Sequence, residues 1–240
     1  MSYLIIVFIF GLFWGSFLNV LIERLANNET ILGRSRCDVC KVVLGFFDLW
    51  PIISFCVFFG RCRYCKHPIS RQHLLVELLT ASIFTAGAWH LKNLGVNEPL
   101  VLLRDFILIS GLIVIGIQDY KYMIIMDAVI YAVGIPVLLL NLFIGYSLMS
   151  LFGATALLIV FFGAQYVISR GRWLGAGDIW LGGLLGVSFA FNALNVIVWG
   201  YALGAMIGIA LLVLKKKELT SQMPLGTFLS TAGILYLLIK

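Results

Sequence analysis

Charge is scarce in this 240-residue chain: Asp, Glu, Lys and Arg together make up 12% of it, against about 25% in an average soluble domain. Hydrophobic residues make up 62%, which excludes a soluble globular fold and a disordered chain alike. Proline is rare, at 5 residues, so the apolar runs proceed almost unbroken. No glycine-rich fingerprint of the Rossmann type occurs. The first apolar run lacks a basic n-region and a small-residue cleavage site, so it is expected to be a retained span and not a signal peptide. No low-complexity linker and no internal repeat is apparent.

What remains is a succession of apolar segments, each long enough to cross about 30 Å of hydrocarbon as a helix. Roughly eight spans are expected: 3–23, 74–91, 100–118, 124–146, 148–168, 178–192, 194–214 and 223–239. In lipid the backbone must satisfy its own hydrogen bonds, so the fold class is all-α, a polytopic membrane protein. Leu49 to Gly60 is apolar but too short to span, and reads as an interfacial or re-entrant piece. Gly11 and Gly15, Gly182 and Gly186, and Gly204 and Gly208 lie one helical turn apart and suit close helix packing.

The net charge of +6 could suggest nucleic acid, but its distribution points to the lipid bilayer as partner. With the N-terminus outside, segment 24–73 is cytoplasmic and holds Arg24, Arg34, Arg36, Lys41, Arg61, Arg63, Lys66 and Arg71. Successive crossings put Lys121, Arg170, Arg172, Lys215, Lys216 and Lys217 on the same side, and only Lys92, Arg104 and Lys240 opposite. That is the positive-inside bias of a membrane protein. No nucleic-acid partner is expected.

Four of the cysteines form two pairs, Cys37-Asp-Val-Cys40 and Cys62-Arg-Tyr-Cys65. The spacing is that of a structural zinc ribbon or knuckle. Four thiolates close a tetrahedral shell with no open position, so the zinc would be structural, since catalytic zinc keeps a water. A reducing cytoplasmic location favours metal over the alternatives, two disulfides or four free thiols. Cys56, in the apolar run, reads as a small core residue.

Acids in or at the ends of spans are costly and mark functional candidates. They are Glu23, Glu77, Asp105, Asp119, Asp127 and Asp178. Arg104 and Asp105 read as an interfacial pair near the outer surface. Glu77 could serve chemistry or simply neutralise a basic group. Asp119 and Asp178 differ, because the charge-derived topology brings both to the cytoplasmic ends of their spans. Two carboxylates meeting there could not both ionise, leaving one acid and one base, as an aspartyl protease requires. Asp178 closes Gly175-Ala176-Gly177-Asp178, where glycines permit close approach of an extended backbone. Asp127 competes with Asp119 but suits the N-terminus of the next helix, where negative charge is favoured.

At this point the chain resembles the type IV prepilin peptidase family along nearly its whole length. Gly11-Leu-Phe-Trp-Gly-Ser-Phe-Leu-Asn-Val-Leu-Ile-Glu-Arg-Leu25 is similar to the family's GSFLNV-type opening. The cysteine pairs follow, then Pro68-Ile69-Ser70 with Val76-Glu77, Asp119 as the first aspartate of a D-x6-P-D segment, and the GxGD at Gly175–Asp178. Pro224-Leu225-Gly226-Thr227-Phe228 resembles the closing PFGPF element. The chain departs from the pattern at Met126, usually Pro, at Trp180, usually Lys, and at Gln72, His73 and Leu74 in place of Arg-Tyr-Pro.

The resemblance implies an inner-membrane enzyme that cleaves the leader peptides of prepilins and pseudopilins, with Asp119 and Asp178 as the catalytic pair. It also implies N-methylation of the new N-terminus with S-adenosylmethionine in members with the cysteine loop. The expected organisation is a first transmembrane helix at 1–23, a cytoplasmic tetra-cysteine loop at 24–73 and a multi-helix peptidase domain at 74–240. Two rivals make other predictions. Another GxGD intramembrane protease would not need the GSFLNV element or the cysteine loop. A transporter relaying protons would spread its acids through the membrane depth.

Overall fold

The structure, a computed structural model, describes residues 2–96, 98–214 and 223–240. Lys215, Lys216 and Lys217, which contribute to the expected charge bias, lie outside the described residues. Nine α-helices are found among the described residues: α1 (Ser2–Ala26), α2 (Ile53–Val57), α3 (Arg71–Asn93), α4 (Pro99–Tyr122), α5 (Asp127–Ile144), α6 (Leu148–Ser169), α7 (Ala176–Phe189), α8 (Ala193–Val213) and α9 (Leu225–Ile239). Two compact units divide the chain, Met1–Val96 and Asn97–Lys240. This division falls beyond the 73/74 boundary drawn from the sequence, because α3 packs along α1.

Among the described residues, six helical stretches are long and apolar enough to cross a membrane. One of them, Ala176–Val213, runs for 38 residues, about 57 Å at 1.5 Å per residue and too long for a single crossing. It breaks at Ala190, whose φ of 50° and ψ of −138° end α7 before a single 3-10 turn. The stretch therefore holds two of the expected spans. The last expected span is α9, shorter at 15 residues.

In the N-terminal unit, α1 lies against α3 at two glycines. A Cβ on Gly11 would fall 2.6 Å from Ala81 Cα, and one on Gly15 would fall 2.8 Å from Glu77 Cα. Small residues thus let the two backbones approach, as expected of helices in lipid. Between them the chain forms the cysteine loop and the short α2. Phe46, Phe47 and Phe59 around α2 are exposed, which suits the expected interfacial piece.

That loop contains a repeat that composition did not reveal. Residues 35–44 and 60–69 share the order Arg-Cys-x-x-Cys-Lys, with Lys41 and Lys66 both at left-handed φ, 57° and 59°. Their hydrogen bonds correspond as well: Leu44 N–H donates to Ser35 O and Ile69 N–H to Gly60 O. Each copy closes with a matching bridge, Arg36 with Val43 and Arg61 with Pro68.

In the C-terminal unit, α4 is the central helix, buried along Leu108, Ile109, Leu112 and Ile115. It packs on α5 and α9, while α7 packs on α5 and α6. The α6–α7 pair is antiparallel and glycine-mediated. Gly186 faces the Thr155 backbone, Gly183 faces Ile159 and Gly182 lies under Phe162.

The Arg104–Asp105 pair, expected as an interfacial pair near the outer membrane surface, is buried inside this unit. Arg104 Nε donates to Asp105 Oδ1 at 2.8 Å and its NH1 group donates to Asn141 Oδ1 at 3.3 Å. Asn141 in turn donates to the Val187 carbonyl at 2.8 Å, satisfying a backbone group near the broken end of α7.

Candidate active site and candidate metal centre

Four chain segments in the C-terminal unit converge on Asp119 and Asp178. α4 ends at Met123, in the left-handed region with φ 55°, whose N–H returns to the Asp119 carbonyl at 2.9 Å. The following turn places Ile125 against the starts of both α7 and α9. A Cβ on Gly177 would meet Ile125 Cβ at 2.8 Å, and one on Gly226 would meet Ile125 Cδ1 at 2.9 Å. Gly177 therefore serves packing on Ile125. Gly175 donates its N–H to Asp178 Oδ2 at 2.9 Å.

Asp119 and Asp178 are both buried, at 7% and 8% exposure, and close enough to interact electrostatically. Asp119 Oδ2 accepts the Thr227 N–H at 2.8 Å. Asp178 Oδ1 is buried with no hydrogen-bond partner, an oxygen left available to a further donor such as water. Thr227 was not singled out from the sequence. The only signal was its place in the Pro224–Phe228 element.

The other expected site residues fall elsewhere. Asp127 is exposed at the first position of α5, where its charge meets the positive helix end. Trp180 is half exposed and leans on Tyr131. Glu77 belongs to the N-terminal unit, where its Oε2 accepts the Ile52 N–H at 2.9 Å. Its partner is thus a loop backbone group in addition to its electrostatic contact with His73.

The four cysteines Cys37, Cys40, Cys62 and Cys65 gather with all sulfurs within 4.8 Å of one another. Cys37 and Cys65 sulfurs lie 3.7 Å apart, matching the roughly 3.8 Å edge of a tetrahedron with Zn–S of about 2.3 Å. All four are free thiols, so the disulfide alternative is not realised. Cys37 is lowered to about 7, chiefly by the Cys40 N–H. Cys40 is raised to about 11: the Val42 N–H favours its thiolate, but partial burial and the neighbouring thiols outweigh it. Such a cluster resists joint ionisation until a cation compensates it, and it could hold a metal ion.

Beside this cluster the N-terminal unit encloses a cavity of about 430 Å³ lined by Asn19, Glu23, Asp48, His73 and Glu77 among others. Asn19 Oδ1 is buried there without a partner, and Glu23 Oε1 lies 3.4 Å from His73 Nε2. The lining is mixed in sign, with Arg24, Arg36, Arg61 and Arg63 facing the same cavity; the unpartnered Asn19 acceptor between Glu23 and Glu77 marks the side that suits a cationic group such as a sulfonium or an ammonium.

Residues 9–91 match the Bacterial Peptidase A24 N-terminal domain. Over 87% of its length the chain is 32% identical to the prepilin leader peptidase/N-methyltransferase of Myxococcus xanthus, covering 63% of that relative. It is 29% identical to the protein of the same name from Aeromonas hydrophila, over 98% of the chain and 90% of the relative. A third, from Bacillus subtilis, is 34% identical over 52% of the chain and 49% of its own length. The chain thus spans less than two thirds of the first relative and most of the second. No solved structure gives a significant match. These relatives and the apolar helices make this a multi-pass membrane protein, and along most of its length the chain is similar to prepilin leader peptidase/N-methyltransferases.

Proposed function

We propose that this protein is an aspartic endopeptidase that removes the leader peptides of prepilins or pseudopilins at the cytoplasmic face of the inner membrane. Its N-terminus is outside and the cysteine loop is cytoplasmic. The observation that carries the reading is the buried Asp119–Asp178 pair, with Asp178 Oδ1 unpartnered. Two carboxylates in electrostatic reach share one proton. The ionised one takes a proton from water as the water attacks the scissile carbonyl, and the protonated one delivers its proton to the leaving amine. Thr227 holds the Asp119 carboxylate in place through the reaction. Asp127 is structural.

The transporter alternative is disfavoured by Asp105, the other acid on α4. It is bound by Arg104 NH2 at 2.6 Å, so it is not free to relay protons.

The second activity in this reading is N-methylation of the new N-terminus. Asn19, Glu23 and Glu77 would hold S-adenosylmethionine in the N-terminal cavity, and the group supplies an electrophilic methyl. Cys37, Cys40, Cys62 and Cys65 would bind a structural zinc ion that orders the surrounding loop. The test is cleavage of a prepilin from the same genome by purified protein. Asp119→Asn and Asp178→Asn should each lower kcat by on the order of 10³-fold or more. Intact cleavage by either variant would sink the proposal.

A further inference from the structure

Two polar side chains on otherwise apolar helices remain unused by this mechanism. Tyr201 on α8 donates its hydroxyl to Gln165 Oε1 on α6 at 3.0 Å. Both are half-buried. The Tyr201 ring stacks on Phe162, with centroids 6.5 Å apart and planes 15° from parallel.

Their depth follows from the register of α6 on α7. Thr155 faces Gly186, Ile159 faces Gly183 and Phe162 lies over Gly182. The next step along this antiparallel pair sets Gln165 opposite Asp178, one turn before Gly182. The Tyr201 hydroxyl is also close enough to the Asp178 carboxylate to interact electrostatically. The hydrogen bond between Gln165 and Tyr201 therefore lies at the level of the candidate catalytic carboxylate.

Resting on the peptidase reading above, we infer that Gln165 and Tyr201 contact the substrate, hydrogen-bonding the extended backbone of an apolar peptide beside its scissile bond. A substrate leaving its helix near lipid exposes N–H and C=O groups that apolar walls cannot satisfy. The Gln165 amide offers both a donor and an acceptor, and the Tyr201 hydroxyl offers the same. In the free protein the Tyr201 hydroxyl satisfies Gln165 Oε1, and Gln165 Nε2 makes only a long bond to the Phe161 carbonyl, at 3.4 Å, so exchanging these bonds for substrate bonds costs little net energy. Holding α6 to α8 is a weak reason to keep the pair, since hydrogen bonds between helices in lipid contribute little.

The test uses the full chain in lipid nanodiscs with a prepilin-type peptide carrying its leader and apolar helix. Tyr201→Phe and Gln165→Leu should each raise KM about three- to tenfold while kcat stays within about twofold. Tyr201→Phe added to Asp178→Asn should weaken peptide binding by the same factor. Unchanged KM and binding, with only a lower unfolding temperature, would overturn the inference and leave the pair as helix glue. Cleavage that survives Asp178→Asn would count against the peptidase reading, and the binding comparison would still decide this one.

Discussion

Thr227 donates its backbone N–H to Asp119 Oδ2 at 2.8 Å, while its hydroxyl reaches the Gly116 carbonyl at 2.9 Å. One residue at the start of α9 thus fixes both a carboxylate on α4 and the helical turn that carries it. The residue before it, Gly226, has no room for a side chain.

Gly226→Ala is expected to disable cleavage without unfolding the protein. Its Cβ would fall 3.0 Å from Asp119 Oδ2 and 2.9 Å from Ile125 Cδ1. A displacement of about 1 Å in such a site costs up to about 10²-fold. Purified Gly226→Ala should lose at least about tenfold in kcat, with little change in unfolding temperature. A wild-type rate would show that Asp119 need not sit where Thr227 holds it.

Metal content provides a second check. The chain should carry one zinc, lost in Cys62→Ser. Metal binding must remove the protons still held by the thiols, including that of Cys40, raised to about 11. Affinity therefore falls as pH falls, and loading releases protons. Titration with a chelator should strip zinc more readily at about pH 6 than at about pH 8. Equal retention at both would argue against thiolate ligands.

The buried Arg104–Asp105 pair predicts a non-additive stability effect. Arg104→Leu alone removes the cation that donates twice to Asp105 Oδ1 and should cost about 3–5 kcal/mol. Replacing both, as Arg104→Met with Asp105→Leu, should recover most of that loss. Thermal unfolding in detergent would measure it, and an additive double variant would contradict the pairing.

Backbone strain at Ile52 leads to the last expectation. A β-branched residue at φ 60° costs on the order of 1–3 kcal/mol, and the Glu77 carboxylate that accepts its N–H helps to hold it there. Glu77→Leu should speed hydrogen exchange at residues 50–58, whereas Ile52→Gly should slow it. Unchanged exchange in both would mean that other contacts fix the loop.

The spans were legible because hydropathy is a property of residue type, and lipid admits few alternatives to a helix. The cysteine cluster was legible from spacing, and Asp119 and Asp178 from charges standing in apolar surroundings. Thr227 was not, because its partner lies 108 residues away and a threonine on an apolar helix is unremarked. The Gln165–Tyr201 pair depends on the register of α6 against α7, which no local pattern encodes. The partner of Glu77 was hidden because a backbone N–H is recruited there by an unusual φ. The repeat in residues 35–44 and 60–69 shows in the sequence only as Arg-Cys-x-x-Cys-Lys, and its full extent emerged from the matching hydrogen bonds and bridges.

The shortness of α7 has a consequence for the supply of water. With 14 residues it rises about 21 Å, short of about 30 Å of hydrocarbon, and it begins at the candidate site, with Asp178 in its first turn. Lipid beside so short a helix must thin, or polar solvent must descend to meet it. Either way, the second reactant of a hydrolysis is brought to the end of the helix at which Asp178 stands.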